Sequence, residues 1–136
     1  LGITPSEEPG QGVFAFDNSS ATTGLEGQSE DSCYIFGNSA VANDVWFAWT
    51  ADASGVARIT TCSHTTVDTK LAAYPGSSCP SSGSSIDCND DACGFQSTLN
   101  FGVTSGSTYL LQVGTWDGAD GGTVHPAGPP AALSLR

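Results

Sequence analysis

Methionine is absent from the 136 residues, and basic residues are nearly so: Arg58, Lys70 and Arg136 stand against fourteen acids, for a net charge of -11. So acidic a surface repels phosphate backbones and anionic headgroups, which argues against nucleic acid as a partner. No apolar run approaches the roughly 20 residues a membrane helix requires, so membrane insertion is not expected. No charged-then-apolar signal segment opens the chain, and residue 1 reads as a processed start. The recurrent catalytic signatures are missing as well: there is no G-x-S-x-G, no H-E-x-x-H and no phosphate-cradling glycine loop. The two histidines, His64 and His125, lie in loop-like sequence. Helical periodicity is nearly absent, and no internal repeat interrupts what reads as one domain.

What is present is a series of short runs rich in Val, Thr, Phe, Tyr and Trp, separated by Gly, Ser, Asn and Asp clusters. That pattern predicts strands over 13–17, 21–26, 44–50, 56–62, 69–74, 97–103, 108–113 and 131–135. Eight short strands suit an all-β fold, an antiparallel two-sheet β-sandwich that is jelly-roll-like. Around Trp46 both alternating faces are apolar: Val45, Phe47 and Trp49 point one way, Trp46 and Ala48 the other, which marks a central strand. The core is expected to take Phe47, Trp49, Ile59, Leu71, Leu99, Phe101, Tyr109, Leu111 and Val113. Lys70 alternates with Leu71 and is expected in solvent. Residues 1–12 read as an amino-terminal arm, because the prolines at 5 and 9 lack ladder donors and argue against a regular strand. The sandwich domain then spans 13–136.

Five cysteines without zinc-like spacing point to disulfides, hence to an oxidising location that is extracellular or on a bacterial cell surface. Two bridges among five cysteines can be drawn in fifteen ways. Proximity favours Cys79 with Cys88, strand neighbourhood favours Cys62 with Cys93, and Cys33 is left as the odd thiol, either buried or bridging to another chain.

The densest chemistry lies at 87–94, where Asp87, Cys88, Asn89, Asp90, Asp91, Cys93 and Gly94 share one short segment, with Asp68 at the start of a nearby strand. Carboxylates and amides on irregular backbone are the hard oxygen donors that calcium (Ca2+) takes, six to eight at a time. The competing reading is an Asx-rich turn whose acids stay in water. Trp116 suggests a different surface, since a tryptophan at a strand end beside Asp117 and Asp120 is the composition of a sugar-stacking platform; a loop residue folded over the sandwich edge is the other reading. The crowded acids share one turn instead of facing across a cleft, so no glycosidase pair is expected and the chain reads as non-catalytic. Finally, an arm carrying Ile3 and leading to Val13, Phe14 and Phe16 has the makings of a strand that pairs with another copy, joining a homopolymer.

Taken together, 15–18 (AFDN), 43–51 (NDVWFAWTA), 60–62 (TTC), 68–74 (DTKLAAY) and 88–94 (CNDDACG) resemble the cysteine-containing form of the bacterial pre-peptidase C-terminal domain. The likeness runs from about residue 13 to Val113. It implies a jelly-roll-like sandwich, often calcium-binding, that accompanies secreted hydrolases or forms part of surface proteins without catalysis of its own. It carries calcium ligation to Asp68, Asn89, Asp90 and Asp91. The run from Thr123 to Pro130 and the arm fall outside it. On these grounds the chain is expected to be a structural or adhesive extracellular module, in its sharper form a self-assembling filament subunit. The alternative is a carbohydrate-binding accessory module of a secreted hydrolase, with polysaccharide as partner. A chain of this length favours the free-standing subunit.

Overall fold

The computed structural model describes residues 6–9, 12–15, 21–35, 37–62, 68–116 and 132–135, with the side chains of 6–9, 12–15 and 132–135 excepted. Among these residues nine strands form two sheets: β1 (Ser6–Pro9), β2 (Gly12–Ala15), β3 (Ala42–Thr50), β4 (Gly55–Thr60), β5 (Thr69–Pro75), β6 (Asp87–Asn89), β7 (Thr98–Val103), β8 (Thr108–Thr115) and β9 (Ala132–Leu135). One sheet runs β1-β3-β8-β5-β6 and the other β2-β9-β4-β7. Early strands interleave with late ones in both sheets, which is the wrapped order of a jelly roll. All pairings are antiparallel except β1 with β3, which is parallel. The expected β-sandwich is therefore the observed one.

Alternation along the strands sends Phe47, Trp49, Leu71, Ala73, Tyr109, Leu111 and Val113 from one sheet against Ala57, Ile59, Leu99 and Phe101 from the other. Every residue expected in the core lies there. Phe101 sits edge-on to Trp49 and Tyr109, with centroids 6.5 and 5.6 Å away, a geometry that aligns ring edges with ring faces. The Tyr109 hydroxyl is not stranded by this burial: it accepts the Thr104 N–H at 2.9 Å.

The five-stranded sheet has a second apolar face. Trp46, Ala72, Tyr74, Cys88 and Leu110 are buried on its outer side, with Cys33 and Val41 packed against them. The cover comes from residues 21–41, of which 21–26 were expected to form a strand. They are irregular instead, held by single bonds and not by a ladder: Thr23 Oγ1 accepts the Asn43 N–H, the Gly24 N–H goes to Asp44 Oδ1, and the Glu26 carbonyl accepts from Gln112 Nε2. Gln28 is the main fastener, its Nε2 donating to the Val41 carbonyl and its Oε1 accepting the Val41 N–H, both at 2.9 Å. Asp44, 4 % exposed, collects Trp46 Nε1 (3.0 Å), Gln112 Nε2 (2.8 Å) and the Gly24 N–H (3.1 Å). Gly27 passes so close beneath this network that a Cβ there would come within 2.6 Å of the Tyr74 hydroxyl, and its φ of +71° also favours glycine.

Lys70 belongs to the same layer and corrects the expectation of a solvent-exposed side chain. It is fully buried, and its ammonium donates to the carbonyls of Asn38 (2.8 Å) and Ala40 (3.1 Å). Alternation was read correctly as outward, but the outer face is roofed, so outward does not mean wet. Two strands were also missed. β1 forms although its last residue is proline, because an edge strand needs ladder donors on one side only. β6 is three residues of Asp, Cys and Asn, a composition with poor strand propensity, recruited by pairing with β5.

The cysteine pairing is likewise revised. Cys62 bridges Cys93 as expected, but Cys88 bridges Cys33, and Cys79 stands exposed outside both bridges. Closeness in sequence misled: Cys88 lies on the outer face of β6, where the roofing segment brings Cys33 within a Cα separation of 5.1 Å. This bridge staples the roof across 55 residues of chain, a closure worth about 4 kcal/mol on the loop-entropy model. Replacing Cys33 and Cys88 together by alanine is expected to lower unfolding free energy by that order in urea titrations, while Cys79→Ser changes it by less than about 0.5 kcal/mol.

Candidate metal centre

Three carboxylates meet where β5 begins and β6 ends. Asp68 immediately precedes β5, Asp90 and Asp91 immediately follow β6, and their oxygens lie within 4.8 Å of one another. The antiparallel register of β5 with β6, Leu71 opposite Asn89, brings these two ends together. The loop leaving the site is fixed from both sides. Ser97 Oγ donates to the Asp90 carbonyl and lies 2.7 Å from the Thr69 carbonyl; the Ala92 N–H reaches the Gln96 carbonyl at 2.8 Å; and Cys93 is tied to Cys62. Buried hydroxyls continue the anchor, Thr61 and Thr69 sharing a hydrogen bond at 2.7 Å.

Asp90 is 2 % exposed, Asp68 is half-buried and Asp91 is exposed, so the cluster opens to solvent on one side. Among the described residues, two buried side-chain oxygens have no hydrogen-bond partner, Asp68 Oδ1 and Asp90 Oδ1, and both belong to this cluster. An unpartnered buried carboxylate oxygen costs several kcal/mol. The electrostatics express the same tension. Burial, then Asp91 and Asp68, push the Asp90 carboxyl up to about 6, with Lys70 opposing. Burial, followed by Asp91, also raises Asp68. Glu30 shows the contrast: burial pushes it upward, but the Gly83 and Ser85 N–H groups at 2.6 and 2.8 Å outweigh that and hold it below the usual range. The fold can satisfy a buried carboxylate with backbone donors, as it does for Glu30 and Asp44. At Asp90 one oxygen has no donor among the described residues.

Asn89, expected among the ligands, is engaged elsewhere. Its Oδ1 accepts the Thr98 N–H at 3.0 Å and fastens β6 to the start of β7. Asp87 Oδ1 accepts the N–H of Cys88 next to it. The sugar platform is described only at Trp116, which is half-buried and donates its indole N–H to the Ile35 carbonyl at 3.4 Å. Asp117 and Asp120 lie outside the described residues, as do Ile3 and Phe16 of the arm and both histidines. Val13 and Phe14 are described as backbone in β2, opposite Ser134 and Leu133 of β9. Lys70 was not expected beside the cluster; its place two residues after Asp68 on the same face was the available signal.

No family model, curated protein or solved structure matches the chain. The two disulfides fit an oxidising, extracellular type of environment, and no helix among the described residues is long and apolar enough to cross a membrane.

A carboxyl raised in the native state holds its proton after the unfolded chain has released it, so stability falls as pH climbs from the unfolded value near 4 to the folded value of about 6. In cation-free protein, Asp90→Asn is expected to abolish this contribution. The stability of wild type relative to the variant should then fall between about pH 4 and 6 and stay level above, as read from urea midpoints across that range.

Proposed function

We propose that the protein is a non-catalytic extracellular structural or adhesive module whose sandwich is stiffened by a calcium ion held between Asp68, Asp90 and Asp91. The observation that carries this reading is the pair of bare, buried carboxylate oxygens at the cluster. A divalent cation offsets two of the three negative charges and occupies both orphan oxygens at once, which hydrogen bonding among the described loop residues does not do. Calcium suits the site better than magnesium, because carboxylates on irregular backbone give flexible oxygen coordination, completed by loop carbonyls and water. Zinc is disfavoured because the donors that meet at the cluster among the described residues are carboxylate oxygens, without nitrogen or sulfur.

The role follows from position. The ion would join the end of β6 to the start of β5 and brace the loop that leads to β7, so that the two sheets are pinned by a cation beside the Cys62–Cys93 bridge. The three carboxylates meet at the ends of two paired strands with oxygens within 4.8 Å of one another, closer than a glycosidase acid–base pair is spaced, which supports a mechanical role over a chemical one. The likeness to pre-peptidase C-terminal domains points the same way. The accessory carbohydrate-binding reading gains no support from Trp116, whose indole N–H is directed back into the roof.

Calcium added to chelator-treated protein is expected to bind with one-to-one stoichiometry by calorimetry and to raise the melting temperature; at a hundredfold excess over Kd the gain is about 2.7 kcal/mol. Asp90→Asn and Asp91→Asn should each lose most of that shift. Absence of both heat and shift would remove the ion from the account.

A further inference from the structure

The edge of the four-stranded sheet carries a feature that the metal centre does not explain. β7 pairs with β4 in an unbroken register from Gly55 opposite Val103 to Thr60 opposite Thr98, and among the described residues no strand flanks its other side. Two bonds establish which backbone groups face that open side. The Thr98 N–H points away from β4, to Asn89 Oδ1, and the Ser97 carbonyl points toward β4, accepting the Thr61 N–H at 3.0 Å. By alternation the N–H and C=O of Asn100 and Gly102 point outward, four adjacent groups on one edge.

We propose that this edge pairs with the same edge of a second copy, β7 against β7 in antiparallel fashion about a two-fold axis. The register is self-complementary. With Asn100 opposite the other copy's Gly102, and Gly102 opposite its Asn100, both pairs exchange their N–H and C=O groups and all four outward groups are satisfied. The two four-stranded sheets then continue as one.

The net charge opposes contact between copies over most of the surface, and this edge is a place where a second copy can approach. A chain of net charge -11 associates with itself only where acids do not meet. Val56, Arg58, Thr98, Asn100 and Gly102, the outer-face residues of β4 and β7 here, include no carboxylate, and Arg58 is exposed directly opposite Asn100. Val56 is 75 % exposed beside Gly102, whose missing side chain leaves room for the incoming Asn100. The devices that guard an edge against pairing are also missing: 98–103 contains no lysine, proline or bulge.

Sedimentation of the full chain, with calcium and with chelator, tests this independently of the metal. Wild type is expected to dimerise in both. Gly102→Pro removes an outward N–H that the chain's own ladder does not use, and should weaken dimerisation at least about tenfold with an unchanged melting temperature. Gly102→Ala, for which a Cβ meets nothing within 4 Å, should still dimerise. Asn100→Asp, which adds an acid to the seam without touching the β4 ladder, should dissociate the dimer at low salt even if the proline variant fails to fold. In the wild-type dimer the Asn100 and Gly102 amides should exchange more slowly as concentration rises. A wild type that stays monomeric, a dimer that survives in Asn100→Asp and Gly102→Pro, or one abolished by Cys79→Ser would overturn the proposal.

Discussion

The structure depends on how the outer face of the five-stranded sheet is covered. A sheet of this kind usually turns one face to the core and the other to water. Here the second face carries Trp46, Tyr74 and Leu110, and water there would leave a large apolar patch exposed. The roof of residues 21–41 removes that patch but brings polar backbone with it, and Asp44 is the group that reconciles the two. Its carboxylate gathers an indole, an amide and a main-chain N–H at the place where roof and sheet touch. Without it, buried donors on both sides would lack acceptors. Glu30 performs the same service where the roof meets 83–85, and Lys70 where residues 38–40 of the roof meet β5.

That roof explains why the acidic cluster is built as it is. Asp68 and Lys70 share the roofed face of β5, so the acids at the end of the strand border a low-dielectric layer and are not free to hydrate fully. The result is that Asp68 and Asp90 are raised in pKa and each has an oxygen without a partner among the described residues, in a fold that elsewhere lowers Glu30 with backbone donors. Burial alone does not make a site, since Asp44 and Glu30 are about as buried as Asp90. What separates Asp90 is an oxygen that has no donor among the described residues.

The sandwich was legible in the sequence because period-two alternation and turn residues report strands and faces directly, and Phe47, Trp49, Leu99, Phe101 and Leu111 lie where that pattern places them. The roof was not legible, because irregular backbone has no period; residues 21–26 have strand-like composition and yet are held through Gln28 and Asp44. Lys70 was misjudged for the same reason, since it is buried by a layer that alternation does not announce, and the pairing of Cys33 with Cys88 was missed because that layer carries Cys33 to β6. Of the candidate site, Asp90 and Asp91 were named from the crowding of acids at 87–91, and Asp68 from its place at the start of a neighbouring strand and from the resemblance. Asn89 looked equally suited, and it takes three-dimensional contact with Thr98 to show its different use.

A crystal structure of the protein grown with saturating calcium, with the ion located by its anomalous scattering, tests the central claim most directly. One peak is expected, bonded at about 2.3 to 2.6 Å to oxygens of Asp68, Asp90 and Asp91, with Asp90 Oδ1 among them. A map with no peak at this cluster, or with Asp90 Oδ1 hydrogen-bonded to a neighbour in place of the ion, would contradict the claim.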